Sequence, residues 1–217
     1  MDYLWSILPS MLNGLKMTFG VFGLTLVGAI PLGVLVAMAL RSEIGLLKLL
    51  MNFYIWIMRG TPLLLQIVFV YYGLSLAQIV TFPRFEAAVV TFILNYAAYF
   101  AEIFRGGLQS VPQGQYEGAQ VLGFSKWQTM KKIILPQVVK IVMPSVGNEV
   151  VNLVKDSSLV YVIGLGDLMR AGNIAAARDV TLVPYLLVGA LYLILTVAAT
   201  LIMRKIENSL DFDRLDR

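Results

Sequence analysis

Four polar side chains recur at helical spacing within an apolar stretch in the second half of this 217-residue chain. They are Ser145, Glu149, Asn152 and Asp156, and Asn148 and Lys155 flank them. Steps of four, three and four residues place the four on one face of a helix. Ionisable groups inside an apolar helix are costly without a partner, so they indicate a functional site. A lysine and two carboxylates on one face can bind a solute that carries both signs of charge.

The charges of that face predict a ligand of opposite net charge. Lys155 can bind a carboxylate, one of the two acids can bind an α-ammonium group, and the other acid can bind a second cationic group. The three side chains sum to −1, whereas a basic amino acid carries +1. The predicted binding residues are Glu149, Asn152, Lys155 and Asp156. The alternative is that Lys155 forms a structural ion pair with Glu149 or Asp156.

The composition places the whole chain in a membrane and excludes several kinds of chemistry. Hydrophobic residues make up 59% of the sequence and charged residues 14%, and the mean hydropathy is +0.79. The absence of cysteine and histidine excludes disulfides and the usual zinc and histidine-base chemistry, so we predict no catalytic residues and no metal site. No GxxxxGK[ST] loop is present, so any ATP must bind to another chain. The net charge of +4 indicates membrane topology and not nucleic-acid binding.

Five apolar segments are long enough to cross a bilayer, and together they predict a single transmembrane domain over residues 1–217. They are 17–40, 49–79, 87–104, 133–154 and 180–203. The second is interrupted by Arg59-Gly60-Thr61-Pro62, and such a break must face protein or water. Residues 1–16 lack the features of a signal peptide and are expected to be retained, either as a short interfacial helix or as the start of the first span.

Three polar side chains in the second and third spans complete the predicted lining of the site. They are Gln66, Asn95 and Tyr99. An equally good interpretation is that they form hydrogen bonds between helices.

Lysine and arginine are divided unequally between the two sides that five spans create. One side carries ten of them: Arg41, Lys48, Arg105, Lys126, Lys131, Lys132, Arg204, Lys205, Arg214 and Arg217. The other carries four: Lys16, Arg84, Arg170 and Arg178. The richer side is cytoplasmic by the positive-inside rule. We therefore expect the N-terminus outside and the C-terminus in the cytoplasm.

Residues 117–136 form a polar interruption that cannot cross lipid. Glu117 and Ala119 favour helix, Gly123 suits a left-handed helix end, and Ser125 can cap a second helix. The pattern predicts a helix, a sharp turn and another helix on the cytoplasmic side.

The same residues resemble a known motif. Glu117-Gly118-Ala119, followed by Gly123 and by Ile134-Leu135-Pro136, is similar to the EAA loop of ABC importer permeases, although the family usually has alanine at position 118. The segments RGTPLLLQ and VGNEVVNLVKDSSLVYVIG resemble the branch that transports polar amino acids. The resemblance covers about residues 15–205.

This resemblance implies an all-α fold, that of the type I ABC importer permeases, with five transmembrane helices and a cytoplasmic coupling helix in a bacterial inner membrane. It implies that the coupling residues Glu117, Gly118, Ala119 and Gly123 dock on an ATPase subunit, which would hold ATP and magnesium, so that this chain needs no cofactor. It also implies an extracytoplasmic amino-acid-binding protein and a second permease copy, most simply in a homodimer, with a paralogue as the other option. An acid at position 149 favours arginine, lysine or histidine as substrate.

Two other classes of function compete with an importer subunit. An ion-coupled secondary carrier or channel would use Glu149 and Asp156 as proton or sodium sites, although the chain has no internal repeat. A membrane-embedded enzyme would need a site built from Ser157 or Ser158 with Lys155 and Asp156. Dependence of transport on a co-expressed ATPase would separate the importer from the carrier.

Overall fold

The computed structural model describes residues 2–210, which fold almost entirely into helices. In chain order these helices are α1 (Asp2–Leu40), α2 (Gly45–Gly60), α3 (Leu63–Leu76), α4 (Arg84–Ser110), α5 (Gln113–Val121), α6 (Lys126–Ile163), α7 (Leu168–Asp179) and α8 (Val183–Leu210). Within α6, a π-helical turn over Met130–Ile134 precedes the regular helix Leu135–Asp156, and a 3₁₀ segment over Ser157–Ile163 follows it.

The helices provide up to five membrane crossings. Helices α1, α4 and α8 are each long and apolar enough to cross a bilayer. The chain bends by 106° between α2 and α3 and by 54° between α6 and α7, and counting each bent pair as one crossing gives five in the described part of the chain. The predicted number of spans and the predicted break after Arg59 are both confirmed.

The N-terminal residues belong to the first span. Helix α1 is continuous for 39 residues, which at 1.5 Å per residue is roughly 58 Å, about twice the hydrocarbon thickness of a bilayer. Its extra turns pack against α7 and α8, where Ile7 and Met11 are buried beside Leu168. Of the two alternatives for the N-terminal residues, the structure shows the start of the first span over residues 2–16 and not a separate interfacial helix, because this tertiary packing extends the span.

Helix α4 is the centre of the fold. In its most apolar 18-residue stretch 56% of the residues are buried, whereas in α8 the share is 6%. Buried aromatic rings at Phe92, Tyr96 and Phe100 follow one another along its face, and Ala97 and Ala101 leave room for neighbouring helices. Glycine allows α1 to approach closely, since a Cβ added at Gly33 would lie 2.7 Å from the Cβ of Phe100.

The connection between α5 and α6 has the predicted helix, turn and helix geometry. Gly123 is left-handed, with a φ of +77°, and its N–H donates to the carbonyl of Gln120. The N–H of Phe124 donates to the carbonyl of Ala119, so the two bonds close the end of α5 as a Schellman motif. Ser125 then begins α6 with a reciprocal capping box to Gln128.

Two of the ten basic residues assigned to the cytoplasmic side, Arg214 and Arg217, lie outside the described residues.

Candidate functional site

A polar cavity of about 700 Å³ opens where the second crossing is broken. It lies between the end of α2, the start of α3, the middle of α4 and the far end of α6. Its lining residues are Arg59, Gly60, Thr61, Pro62, Leu63, Asn95, Tyr96, Tyr99, Glu149, Asn152, Lys155, Asp156 and Leu159. Its size suits a small solute such as an amino acid.

The cavity brings together six of the seven residues that the sequence predicts for a substrate site. They are Asn95, Tyr99, Glu149, Asn152, Lys155 and Asp156. Ser145 and Asn148 belong to the same polar run of α6 and are exposed, but they do not line the cavity. The binding role of the lining residues stays a prediction, while their spatial grouping is a property of the fold.

Gln66, the seventh predicted residue, lies behind the cavity and joins the two halves of the broken helix. Its side-chain amide donates to the carbonyls of Met58 at 3.0 Å and Thr61 at 3.2 Å, and to the Thr61 hydroxyl at 2.8 Å. Asn95 of α4 donates to the Met58 carbonyl at 2.9 Å and to Oε1 of Gln66 at 3.0 Å. These bonds satisfy backbone carbonyls that the break leaves free. The interpretation as hydrogen bonds between helices therefore describes Gln66.

Tyr96 is a cavity residue that the sequence analysis missed. Its hydroxyl donates to Oδ2 of Asp156 at 2.7 Å and links α4 to α6 across the cavity wall. The ring is buried and stacks on Phe92, so its position is set by the core. The sequence could have indicated this residue, because Tyr96 is next to Asn95 and about one helical turn before Tyr99, and both were predicted site residues.

Lys155 is not engaged in the structural ion pair that was the alternative to a binding site. Within residues 2–210, no nitrogen–oxygen contact of 4.0 Å or less joins it to Glu149 or Asp156. Its side chain is exposed, whereas both acids are half-buried. The carboxylates of α6 therefore face the cavity without a lysine counter-ion.

Arg59 is the second residue that the sequence analysis left out of the site. Its guanidinium carbon lies 5.2 Å from the centre of the Tyr99 ring, and Nη1 lies 3.5 Å from Oε2 of Glu102. Arg105 holds both oxygens of that same carboxylate, at 3.0 and 2.7 Å. The sequence could have indicated Arg59, because it lies beside Gly60 and Pro62 at a predicted helix break. A charged side chain at such a break within a span must face a polar cavity or a partner and not lipid.

The charge count of the site changes once Arg59 is included. Four charged side chains line the cavity, and Arg59 and Lys155 balance Glu149 and Asp156. The net charge of −1 expected from the face of α6 alone is therefore wrong for the complete cavity, because helix periodicity cannot show which charges arrive from another helix.

A polar cavity with balanced charges, enclosed by apolar helices and placed at a helix break, is typical of a membrane subunit that transports a small polar solute. Residues 29–211 match the family described as binding-protein-dependent transport system inner membrane components. The chain belongs to this family.

Two relatives with known roles match along most of their length. The chain is 36% identical to the arginine transport system permease protein ArtQ of Bacillus subtilis (strain 168) over 204 residues, covering 94% of this chain and 93% of that protein. It is 34% identical to the glutamine transport system permease protein GlnP of Escherichia coli (strain K12) over 207 residues, covering 94% of each.

The fold agrees with solved transporter structures. A chain of an amino acid ABC transporter crystallised with histidines superposes with a TM-score of 0.88 at 33% identity, covering 96% of this chain and 99% of that one. A chain of the methionine transporter MetNI superposes at 0.74 and 20% identity, which supports the fold alone. The described helices therefore form the all-α fold of an ABC importer permease.

Proposed function

We propose that this chain is the membrane-spanning subunit of an ATP-driven, binding-protein-dependent importer of polar amino acids, and that it prefers arginine, lysine or histidine. The observation that carries the proposal is the cavity at the break between α2 and α3, into which Glu149 and Asp156 face without a lysine counter-ion. Arg59, the nearby cation on α2, contacts the carboxylate of Glu102 on α4 and not an acid of α6. Among residues 2–210 neither Glu149 nor Asp156 forms an ion pair with Arg59 or Lys155, so one acid can bind the α-ammonium group and the other a cationic side chain.

The relatives support the same range of substrates. Two of them are named for arginine and glutamine transport, and the related amino acid transporter structure contains histidines. All three solutes carry an α-ammonium group and an α-carboxylate. The acids of the cavity can bind the ammonium group, and Arg59 or Lys155 can bind the carboxylate. The second acid is the feature that favours the cationic members of this group.

The turn after α5 is proposed as the contact with the ATPase subunit. Glu117, Gly118 and Gly123 are exposed, and Ala119 is buried against the rest of the fold. Next to them, the apolar side chains of Val121, Leu122 and Trp127 are also exposed. A cluster of exposed apolar side chains around a rigid polar turn suits docking into a protein cleft.

The remaining partners follow from this arrangement. The ATPase would lie in the cytoplasm with its ATP and magnesium, the N-terminus would lie outside, and a soluble binding protein would deliver the amino acid there. Helix α8 is almost unburied in a single chain, so a second permease copy, most simply an identical one, has a large apolar surface available. ATP binding and hydrolysis would then open the cavity to one side and the other in turn.

Uptake into proteoliposomes tests the proposal. The complex purified with its ATPase is reconstituted, its soluble binding protein is supplied on the uptake side, and uptake of labelled arginine, lysine, histidine and glutamine is measured with ATP, with a non-hydrolysable analogue, and with a proton or sodium gradient alone. The expected result is ATP-dependent uptake that is fastest for the cationic amino acids. Uptake driven by a gradient without the ATPase would contradict the importer, and equal rates for glutamine would contradict the cationic preference.

A further inference from the structure

Arg59 is placed to interact with whatever occupies the cavity. Its side chain is 42% exposed, lies on the cavity wall, and is positioned by the ring of Tyr99 at 5.2 Å. An arginine presents a planar fork of donors that matches a carboxylate with two parallel hydrogen bonds, and stacking on an aromatic ring pre-orients that fork.

The contact between Arg59 and Glu102 is the weaker of the two that Glu102 makes. Arg105 donates to both of its oxygens, at 3.0 and 2.7 Å, whereas Arg59 approaches one oxygen at 3.5 Å, beyond a normal charge-assisted hydrogen bond. Glu102 therefore keeps a strong partner when Arg59 moves away. The guanidinium of Arg59 is free to exchange one carboxylate for another at little cost.

The start of α3 adds a second feature that favours an anion at this wall. The helix Leu63–Leu76 begins beside Arg59, and no side chain caps its first N–H groups. Thr61, Pro62 and Leu63 themselves line the cavity. Free N–H groups at a helix start carry a partial positive charge, and broken transmembrane helices present them to anionic parts of a substrate.

Lys155 is the other cation that lines the cavity, and it is less suited to this role. Its side chain is exposed, and it contacts no aromatic ring or acid among residues 2–210 that would orient it. A lysine ammonium is a compact, strongly hydrated charge on a flexible stem. It can remain solvated at the rim.

We propose that Arg59 binds the α-carboxylate of the transported amino acid, and that Glu102 competes with this carboxylate for the guanidinium. The inference rests on the proposed function, because it requires an amino acid in the cavity. With Arg59 as the carboxylate partner, Glu149 and Asp156 are both left for cationic groups. Binding also releases Glu102 to Arg105 alone, so that occupancy of the cavity changes a contact between α2 and α4.

Paired ligands that differ only in the α-carboxylate test the carboxylate role. The complex, purified with its ATPase but without a binding protein, is placed in lipid nanodiscs, and equilibrium binding of arginine and argininamide is measured. In the unaltered protein arginine should bind on the order of ten- to a hundredfold more tightly, as expected for a charge-assisted pair. In Arg59→Gln the ratio of the affinity for arginine to the affinity for argininamide should fall to about one, because arginine binding is lost. Arg59→Lys should keep part of the preference.

Two further variants separate the competing explanations. Lys155→Gln should keep the arginine-to-argininamide ratio, and Glu102→Gln should bind arginine at least as tightly as the unaltered protein, because the competitor is gone. A ratio that survives in Arg59→Gln, or one that is lost in Lys155→Gln, would overturn the carboxylate role of Arg59. Weaker arginine binding in Glu102→Gln would overturn the competition.

The same comparison with glutamine and glutaminamide separates this inference from the choice of substrate. If the unaltered protein binds glutamine but not arginine, and Arg59→Gln abolishes the preference for glutamine over its amide, the preference for cations fails while the role of Arg59 stands. If both amino acids bind, and Arg59→Gln changes neither the preference for arginine over argininamide nor that for glutamine over glutaminamide, the inference fails while the importer function stands. No binding of either amino acid would overturn the inference, whereas the importer function would still be decided by the uptake measurement.

Discussion

The hydroxyl of Tyr96 donates a 2.7 Å hydrogen bond to Oδ2 of Asp156 and so joins α4 to the far end of α6. The bond uses one carboxylate oxygen and leaves the other available to the cavity that both residues line. Because the Tyr96 ring is buried, the orientation of Asp156 depends on the packing of the central helix. The binding site and the core of the fold are connected at this point.

Tyr96→Phe should therefore weaken both folding and binding. The ring stays in place, but the carboxylate loses a hydrogen bond worth about 1.5–3 kcal/mol for a charged acceptor. Thermal unfolding in detergent and arginine binding should both report the loss. Tyr185→Phe is the matched control, because that exposed hydroxyl bonds to no residue within 2–210. Unchanged stability and binding in Tyr96→Phe would show that the bond has no role in positioning Asp156.

Glu149→Gln should reduce transport of cationic amino acids selectively. The change keeps shape and hydrogen-bonding capacity but removes the charge, and deleting one partner of a desolvated ion pair costs about 3–5 kcal/mol, a hundredfold or more in affinity. Arginine uptake should fall much more than glutamine uptake in reconstituted protein. Glu86→Gln, at the exposed start of α4, is the control for a lost acid outside the cavity. Equal losses for arginine and glutamine would rule out a role in substrate selection.

Gly123→Leu should uncouple ATP hydrolysis from uptake. Space is available for the new side chain, since nothing lies within 4 Å of a Cβ there, but the left-handed backbone costs a side-chain-bearing residue about 1–2 kcal/mol. Relaxation would shift α5 relative to α6 and disturb the proposed ATPase contact. Gly114→Ala, on α5 with ordinary helical geometry and equal space, controls for an added side chain. Normal assembly and coupled uptake in Gly123→Leu would remove this turn from the coupling mechanism.

Gly33→Ala should destabilise the packing of α1 on α4. The added methyl would lie 2.7 Å from Cβ of Phe100 and 3.1 Å from the carbonyl of Ala97, and such overpacking typically costs about 1–3 kcal/mol. Gly23→Ala on the same helix has nothing within 4 Å of its Cβ and should be neutral. Thermal unfolding of the two variants side by side measures the difference. Equal stabilities would mean that α1 adjusts freely against α4.

The sequence alone determined those features that depend on local pattern. The lengths of the apolar segments predicted five crossings. Helical spacing placed Glu149, Asn152 and Asp156 on one face, and the residues around Gly123 specified the turn between α5 and α6. Each of these follows from the period of a helix, the thickness of a bilayer or the backbone preference of glycine.

The tertiary structure alone decided which side chains meet in the cavity. The 106° bend between α2 and α3 brings Arg59 to the cavity wall and leaves Gln66 behind it, and the core position of Tyr96 directs its hydroxyl to Asp156. Packing against α7 and α8 made residues 2–16 part of the first span. Periodicity along one helix contains no information on the angle or rotation of its neighbours. Those depend on contacts between residues far apart in the chain, such as Gly33 with Phe100, where small side chains allow two backbones to approach.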